Sequence, residues 1–365
     1  MSLQSDERFM ALALSLGRRG MGRVWPNPAV GCVIVRDGIV VGRGWTAEGG
    51  RPHAEPQALA QAGAAAGGAT AYVTLEPCAH HGQTPPCAEA LIKAGVARVV
   101  VALTDPDPRV DGGGIRMLRQ AGIAVTAGVG AAQAQRDHAG FLLRVTQGRP
   151  FVTLKLAGTL DGRIATATGE SQWITGPGAR RAVHLMRARH DAVMVGAGTV
   201  RADDPSLTVR GLGIDRQPVR VVVSRAMKLS ADAQLARTAR DAPVWLCHGQ
   251  EADVAPWTAQ GAISLPCATQ SGQVDPLSAM QALAARGITR VFCEGGGMLA
   301  ASLLNAGLVD ELVVFSAGVA IGAEGTPMLA AMGVDRLGLA PRFQLADVTR
   351  LGGDICHVWR RSPAP

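Results

Sequence analysis

One histidine and two cysteines stand where polar or proline-rich loops turn into helical patterns. His53 precedes "AEPQALAQAG", Cys78 lies in "EPCAHH", and Cys87 opens "CAEALIKAG". Imidazole and thiolate are ligands that zinc prefers, and three of them leave a fourth coordination position open for water or substrate. We therefore predict one catalytic zinc ion per chain, held by His53, Cys78 and Cys87.

Glu55 follows His53 by two residues, so its carboxylate stays beside the metal without being a ligand. A carboxylate in that place can move protons between an activated water and a leaving group, and we predict that Glu55 is this catalytic shuttle. Helix starts at these positions would also lower the pKa of the cysteine thiols. A structural zinc, closed by His80 or His81 as a fourth ligand, is the alternative.

The elements that must position these residues follow from the hydrophobic pattern. Apolar, β-branched runs such as "AVGCVIV", "ATAYVTL" and "ARVVVAL" alternate with helical patterns through residue 130. A second series of the same kind begins at "RPFVTLKLAGTLDG" and includes "HDAVMVGAGTV" and "PVRVVVS". The alternation predicts two α/β domains, residues 1–148 and 149–365.

Composition narrows the class of protein. The chain has 365 residues, 47% of them hydrophobic, which is enough for two cores. Its seven cysteines are scattered and odd in number, so we expect no disulfide framework and a cytoplasmic location. The first helical pattern is interrupted by Arg18 and Arg19 and does not resemble a signal peptide, and no stretch predicts a membrane span. The net charge of +7 indicates a mild preference for anions.

A glycine turn in the second half could bind a phosphate. The segment "VFCEGGGMLAASLL" predicts a strand, a turn and the start of a helix, and its backbone N–H groups could bind a dinucleotide phosphate. A tight connection between strand and helix explains the same residues equally well, because the GxGxxG pattern is absent.

The metal-binding pattern resembles that of zinc deaminases, in which His-x-Glu is followed by Pro-Cys and a second Cys. The spacer between the cysteines is longer here, and "WPNPAVGCVIV", "HAEPQALAQAG", "GATAYVTLEPCAHHGQTPPC" and "DPDPRVDGGGI" look like blocks of the bifunctional riboflavin-biosynthesis deaminase and reductase family. The segments "KLAGTLDGRIATATGESQWITG", "DDPSLTVR" and "EGGGMLAASLLNAGLVDEL" are similar to its reductase half. The resemblance implies a cytidine-deaminase-like α/β/α domain followed by a dihydrofolate-reductase-like α/β domain.

The resemblance also implies a reaction sequence. A zinc hydrolase would deaminate 2,5-diamino-6-(5-phosphoribosylamino)pyrimidin-4-one, and an NADPH-dependent oxidoreductase would then reduce the ribosyl side chain to give 5-amino-6-(5-phosphoribitylamino)uracil. The partners would be small phosphorylated pyrimidines, with neither nucleic acid nor membrane involved. We also expect a homo-oligomer.

The family's functional residues transfer to matching positions of this sequence. The resemblance implies that the deaminase substrate is bound by Asn27 and His80. It implies that the reductase substrate is bound by Ser171, Arg187, Leu207, Arg210 and Glu294. It implies that the cofactor is bound by Ala157, Trp173, Thr199, Asp203, Ser224, Gly296, Gly297, Met298, Leu299, Ala300, Ala301 and Ser302.

Physical chemistry supports some of these assignments and leaves others open. Arg187 and Arg210 could bind one phosphate through their guanidinium groups, or could be solvated or paired with Asp203 or Asp204. Asp203 could transfer a proton during reduction or could cap the turn before Pro205. Lys155, in an apolar strand, could face the active site or extend to solvent.

The sequence departs from the family pattern at several positions. Thr46 and Gln83 stand where relatives commonly have His and a basic residue near the deaminase phosphate. In the cofactor turn, Gly297 and Met298 replace Pro and Thr, and "SAGVAIG" replaces "APKLLG". The preference for NADPH over NADH therefore does not follow from the sequence.

Two other functions were weighed. A nucleic-acid editing deaminase shares the zinc motif, but this chain has one Tyr, six Phe and no Lys/Arg stripe with which to hold a strand. A zinc-stabilised nucleotide sensor would bind a dinucleotide without turnover, and an NADPH oxidation assay distinguishes it from an enzyme.

Overall fold

The computed structural model of the protein describes residues 3–82 and 85–362. The chain divides into two compact units, Met1–Gly148 and Arg149–Pro365. Short 3₁₀ helices occur at Arg18–Gly20, Glu48–Gly50, Gly63–Ala66 and Leu337–Leu339. Within the described ranges, we find no helix with the length and apolar character needed to cross a membrane.

The first unit is built around one five-stranded sheet in the order β2-β1-β3-β4-β5. Its strands are β1 (Gly31–Arg36), β2 (Ile39–Trp45), β3 (Thr70–Val73), β4 (Arg98–Val101) and β5 (Ala124–Ala127). Its α-helices are α1 (Leu3–Gly17), α2 (Ala54–Ala62), α3 (Cys87–Lys93), α4 (Gly113–Gln120) and α5 (Ala131–Gln147). Strand β1 runs antiparallel to both neighbours, whereas β3, β4 and β5 are parallel.

Helices cover both faces of this sheet. Cys32 and Ile34 of β1 pack into a core cluster with residues of α2, α3 and α4. The alternate residues Val33 and Val35 pack into a second cluster with residues of α1. Because successive side chains of a strand point to opposite faces, this arrangement gives the three-layer α/β/α architecture predicted from the sequence.

Glycines in β2 let helix α2 approach the sheet closely. A β-carbon at Gly44 would lie 2.1 Å from the carbonyl oxygen of Ala54, and one at Gly42 would lie 2.1 Å from that of Ala58. Only glycine permits this approach, which fixes the first turn of α2 against the sheet. That turn follows His53 and contains Glu55.

The second unit is built around a nine-stranded sheet in the order β11-β10-β9-β8-β14-β6-β15-β18-β17. The strands of this unit are β6 (Phe151–Thr159), β7 (Arg163–Ala165), β8 (Ala192–Gly196), β9 (Val219–Ser224), β10 (Val244–Gly249), β11 (Ile263–Cys267), β12 (Thr269–Gln270), β13 (Gln273–Val274), β14 (Arg290–Cys293), β15 (Glu311–Ala317), β16 (Thr326–Pro327), β17 (Phe343–Leu351) and β18 (Asp354–Arg361). Outside the main sheet, β12 pairs with β13, and β7 pairs with β16. Its α-helices are α6 (Pro177–Ala188), α7 (Ala197–Asp203), α8 (Gln234–Arg237), α9 (Ala255–Thr258), α10 (Pro276–Ala285) and α11 (Gly297–Asn305).

Strand direction places the site of this unit. The strands from β11 to β15 are parallel in the sheet, and β18 pairs antiparallel with β15 and β17. From β8 the chain passes outward to β9, β10 and β11, and it then returns to β14 beside β8. Ligands of open α/β sheets bind at the carboxyl ends of strands where the order reverses, and here that point lies at β8 and β14. The predicted α/β class is thus confirmed for both units.

Candidate active sites

The three predicted metal ligands meet in the first unit. His53 directly precedes α2, Cys78 lies in the loop after β3, and Cys87 is the first residue of α3. Their ligand atoms all lie within 4.8 Å of one another. The Nδ1 atom of His53 is 3.3 Å from Sγ of Cys87 and 3.8 Å from Sγ of Cys78. Tetrahedral zinc requires about 3.6 Å between such atoms, so the three side chains fit a zinc ion.

The site already favours one thiolate. The thiol of Cys87, together with the backbone N–H of Cys87 at 3.3 Å, donates to Sγ of Cys78. These donors and His53 lower the pKa of Cys78 to about 4, although burial opposes the shift. The same hydrogen bond, with burial, raises the pKa of Cys87 because Cys87 holds the shared proton. A soft, negatively charged donor set of this kind is suited to zinc.

Glu55 is enclosed beside the ligands. Its side chain is only 4% exposed, and burial, followed by the nearby charge of Cys78, raises its pKa to about 7. A carboxylate whose pKa lies near neutrality can both accept and return a proton. The fourth-ligand alternative has no support, because neither His80 nor His81 joins the cluster. His81 is exposed instead, with Nε2 3.5 Å from the carboxylate of Glu89.

The residues predicted to hold the deaminase substrate have different environments. Asn27 donates to the carbonyl oxygen of Gly50 at 2.9 Å, so one edge of its amide is fixed. His80 has a buried Nδ1 atom without a hydrogen-bond partner among the described residues. Thr46 is buried, and its hydroxyl donates to the carbonyl of Pro28 at 2.9 Å and accepts from the N–H of Val30 at 3.0 Å. Thr46 therefore holds the "PNP" segment in place. Gln83 lies outside the described residues.

Sequence reasoning missed Glu76, which organises the loops around the metal ligands. Its buried carboxylate accepts from the backbone N–H groups of Asp105 at 3.2 Å, Gly112 at 3.2 Å and Ile115 at 3.0 Å. These bonds tie the loop after β4 and the start of α4 to the segment that carries Cys78. The available signal was an acid directly after an apolar strand and before the Pro-Cys pair.

In the second unit, two residues predicted to bind substrate pair with each other. Nε of Arg187 lies 2.5 Å from Oε1 of Glu294, and Nη2 lies 3.0 Å from Oε2. The two side chains are 11% and 10% exposed. Burial alone would raise the pKa of Glu294, but the guanidinium of Arg187 holds it below its usual value. The partner of Arg187 is thus Glu294 and not Asp203 or Asp204.

Arg210 and Leu207 lie on the loop after α7. The backbone N–H of Arg210 lies 3.2 Å from Nδ1 of His184, and its side chain is exposed. Burial, followed by the charges of Arg187 and Arg210, lowers the pKa of His184. Leu207 is buried with φ at +55°, a left-handed conformation that is unusual for a bulky residue. Ser171 is half-buried in the segment that joins β7 to α6.

A second missed residue holds this loop. Arg220, on β9, is 1% exposed. Its guanidinium donates to the carbonyl oxygen of Ser206 at 3.2 Å and to the hydroxyl of Thr238 at 2.8 Å. The signal was an arginine inside the apolar run "PVRVVVS", where burial requires hydrogen-bond partners.

Lys155 lies among the charges of this site. Burial lowers its pKa, while the charges of Glu294 and Asp203 partly restore it. Lys155 itself is half-buried on β6, and the charges that act on its amino group are those of the predicted site. Asp203 ends α7, and burial raises its pKa against the effect of Lys155. The neighbouring Asp204, and not Asp203, accepts a backbone hydrogen bond, from the N–H of Gln234 at 2.7 Å.

Most of the residues predicted to bind the cofactor lie near the carboxyl ends of neighbouring strands, or in the helices that follow them. The N–H of Gly296 donates to the hydroxyl of Thr199 at 3.0 Å, so the glycine turn after β14 meets helix α7. The remaining predicted turn residues, Gly297, Met298, Leu299, Ala300, Ala301 and Ser302, form the first part of α11. Ala157 lies on β6, and Ser224 ends β9. Trp173 is 70% exposed, with the guanidinium of Arg180 4.6 Å from its ring centre.

Comparisons with known proteins assign both units. Residues 3–103 match the model of the cytidine and deoxycytidylate deaminase zinc-binding region, and residues 150–357 match that of the RibD C-terminal domain. The riboflavin biosynthesis protein RibD of Escherichia coli K12 is 43% identical over 363 residues, covering 96% of this chain and 98% of that protein.

Solved structures resemble the whole chain. An Acinetobacter baumannii RibD has a TM-score of 0.90 at 40% identity, covering 99% of this chain and 100% of that one. A diaminohydroxyphosphoribosylaminopyrimidine deaminase/5-amino-6-(5-phosphoribosylamino)uracil reductase from Thermotoga maritima has a TM-score of 0.87 at 35% identity, covering 99% of both chains.

Proposed function

Because the chain belongs to the RibD family of bifunctional riboflavin-biosynthesis enzymes and has both a deaminase and a reductase domain, we propose a residue-level account of its two reactions. Residues 1–148 deaminate 2,5-diamino-6-(5-phosphoribosylamino)pyrimidin-4-one with the help of one zinc ion. Residues 149–365 use NADPH to reduce the ribosyl group of the product to ribityl. The observation that carries this proposal is the cluster of His53, Cys78 and Cys87 with buried Glu55 beside it.

In the deaminase domain, the zinc site and Glu55 divide the work. Zinc, when bound by His53, Cys78 and Cys87, supplies a water activated for attack at neutral pH. Glu55 takes a proton from the attacking water and delivers protons to the ring nitrogen and to the departing ammonia. The exclusion of solvent around Glu55 supports this role, since its pKa near 7 allows both transfers.

Asn27 and His80 bind and orient the pyrimidine. The hydrogen bond from Asn27 to Gly50 fixes the amide, so its remaining polar atoms face a ligand in one orientation. Nδ1 of His80, a buried polar atom without a partner among the described residues, gains one when a polar ligand binds.

In the reductase domain, the charged residues orient the phosphorylated substrate. NADPH, when bound, supplies the hydride that reduces the ribosyl carbon. Arg210 is exposed and free to bind the phosphate, whereas Arg187 is held by Glu294 and positions that carboxylate toward the sugar. Asp203, whose pKa is raised by partial burial against the nearby charge of Lys155, provides the proton that accompanies reduction.

We assign the cofactor site to Ala157, Trp173, Thr199, Asp203, Ser224 and the helix that begins at Gly297. The exposed ring of Trp173, already stacked on Arg180, offers a flat surface for an aromatic ligand. The N-terminus of α11, adjoining Thr199, suits a pyrophosphate. The hydrogen bond that joins Thr199 to the glycine turn at the strand reversal supports the site.

We also propose that the enzyme works in the cytoplasm as a homo-oligomer on small molecules alone. All seven cysteines are free thiols, as a reducing compartment favours. The edge strand β17 exposes Leu345 (54%) and Val348 (56%), which supports pairing with a second copy.

The test is a coupled assay on the ribosylaminopyrimidine phosphate, following ammonia release and NADPH oxidation together. Ammonia release followed by NADPH oxidation is the expected result. Release of ammonia without NADPH oxidation, even when the deaminated product is added, would refute the reductase half. Such a result, combined with tight NADPH binding, would instead favour a nucleotide sensor.

A further inference from the structure

The carboxyl ends of three adjacent strands form a row in the second unit. Strands β14, β8 and β9 are neighbours in the sheet and run parallel. Strand β14 leads into the glycine turn and α11, β8 leads into α7, and β9 ends at Ser224. Gly296 and Thr199 join the first two of these ends by a hydrogen bond of 3.0 Å. Ligand groups can therefore lie side by side along this row.

The end of β9 carries positive charge. Ser224 is followed by Arg225 and, three residues later, by Lys228, and no acidic residue occurs between positions 219 and 231. Arg225 and Lys228 are both exposed, and among the described residues neither side chain has a hydrogen bond or an ion pair. Two cations without an internal partner lie beside the row of strand ends.

Hydrogen bonds fix the backbone of residues 224–228, although the side chains of Arg225 and Lys228 have no partner among the described residues. The hydroxyl of Ser224 accepts from the N–H of Met227 at 3.1 Å, which closes a turn. The carbonyl oxygen of Arg225 accepts from the N–H of Gly249 at 3.0 Å, which ties the segment to the end of β10. The side chain of Arg225 thus extends from a preorganised base, which reduces the entropy lost when it binds an anion.

The spacing suits the two anionic groups of one dinucleotide. Adjacent strands lie about 4.8 Å apart, so the end of β9 is about 10 Å from the end of β14. A pyrophosphate at the N-terminus of α11 would place the adenosine ribose on the way toward β9. The long side chain of Arg225 can extend from the end of β9 toward this ribose.

We infer that Arg225, assisted by Lys228, binds the 2′-phosphate of NADPH and makes the reductase select NADPH over NADH. A guanidinium binds a phosphate through two parallel hydrogen bonds. In Rossmann folds that bind NADH, an acid accepts from the ribose 2′-hydroxyl, and such an acid would repel a phosphate. Here serine and arginine occupy the strand end. The inference rests on the proposed cofactor and names the residues that recognise its phosphate.

The test measures dissociation constants by calorimetry on the full-length chain. NADPH and NADH are titrated into the wild type, Arg225→Ala, the double variant Arg225→Ala/Lys228→Ala, and the control Arg237→Ala, which removes an exposed arginine of α8. We expect the double variant to bind NADPH about 30-fold more weakly, as for a lost charge-assisted contact, and to bind NADH as the wild type does. The same titrations with adenosine 2′,5′-bisphosphate and adenosine 5′-monophosphate measure the effect of the 2′-phosphate without the nicotinamide.

The outcomes separate this inference from the proposed function. Unchanged NADPH affinity in the double variant, or an equal loss for NADPH and NADH, overturns the role of Arg225 and leaves the cofactor site intact. A wild type that binds neither dinucleotide overturns the proposed cofactor and this inference with it. Identical far-UV circular dichroism and melting temperature show that the variants are folded.

Discussion

The two sites of this enzyme are built in different ways. In the first unit, the metal ligands and Glu55 come from a stretch of 35 residues, 53 to 87, and two helix starts bring them together. In the second, the proposed residues extend from Ala157 to Ser302, and several of them lie where parallel strands end at one edge of a sheet. The first site depends on a few side chains that can bind zinc. The second depends on how the fold arranges residue types that occur throughout the chain.

This difference predicts how each site fails. A metal site requires all of its ligands, so a single substitution removes the function. In a site assembled from an ion pair, an exposed arginine and backbone N–H groups, each substitution removes only part of the binding free energy. Variants of the first unit should therefore have larger effects on activity than variants of the second.

The largest effect is expected for Cys78→Ser. The serine hydroxyl is a poor replacement for a thiolate ligand, so zinc should be lost and ammonia release should become undetectable. Elemental analysis of the purified protein measures the metal, and Cys356→Ser, in the reductase domain, serves as the matched control. One zinc per chain in the control and in Cys78→Ser alike would contradict the assigned ligand set.

Glu55→Gln should be the next most severe change. The amide keeps the size of the side chain and leaves the zinc ligands intact, but it cannot carry the proton. Deamination should fall by at least about 100-fold, the effect typical of a general acid–base group. Glu89→Gln, at the start of α3, is the control and should retain activity. Near-normal ammonia release by a zinc-loaded Glu55→Gln protein would exclude the shuttle.

In the second unit, Glu294→Gln should reduce stability, because it leaves the guanidinium of Arg187 without its charged partner. The expected loss in free energy of unfolding is about 3 kcal/mol. Glu311→Gln breaks a more exposed pair with Arg360 (side chains 21% and 49% exposed) and should cost less than about 1 kcal/mol. Urea denaturation measures both, and equal losses would show that burial of the Arg187 pair has no energetic consequence.

The same pair predicts a pH dependence of stability. Arg187 lowers the pKa of Glu294 in the folded state, so the pair stabilises the protein above the unfolded-state pKa of about 4.3. This contribution is lost as the pH falls through the lower folded-state value. The difference in free energy of unfolding between the wild type and Glu294→Gln should accordingly become smaller in acid. A difference that does not change with pH would contradict the charge-based explanation.

The smallest effect is expected for Arg210→Ala, which should raise KM for the reductase substrate while kcat changes little. Loss of one charge-assisted phosphate contact costs about 2 kcal/mol, or about 30-fold in affinity. Arg181→Ala removes an exposed arginine of α6 and is the control. Equal KM values for Arg210→Ala and the wild type would remove Arg210 from the phosphate site.

The sequence was sufficient where residue types are distinctive. The α/β class followed from the alternation of strands and helices, and the helix starts at His53 and Cys87 were predicted correctly. His53, Cys78 and Cys87 could be identified because few side chains bind zinc. In the structure their ligand atoms lie within 4.8 Å of one another, and their role as zinc ligands stays a prediction.

Long-range pairing was not accessible in the same way. Arg187 and Glu294 are 107 residues apart, and nothing in the local pattern of either identifies its partner. Thr46 and Glu76 could not be understood from local sequence because their hydrogen bonds reach loops brought near by folding. The charges of Glu294 and Asp203 that act on Lys155 likewise come from distant parts of the chain.

The central claim is that the two sites act independently, and it is tested most directly by assaying reduction in the Glu55→Gln protein. Supplied with the deaminated pyrimidine, the folded and zinc-loaded variant should oxidise NADPH at the wild-type rate, while Asp203→Asn should impair reduction and still release ammonia from the first substrate. If Glu55→Gln abolished reduction of the supplied product, the two sites would not be independent, and a single composite site would have to replace them.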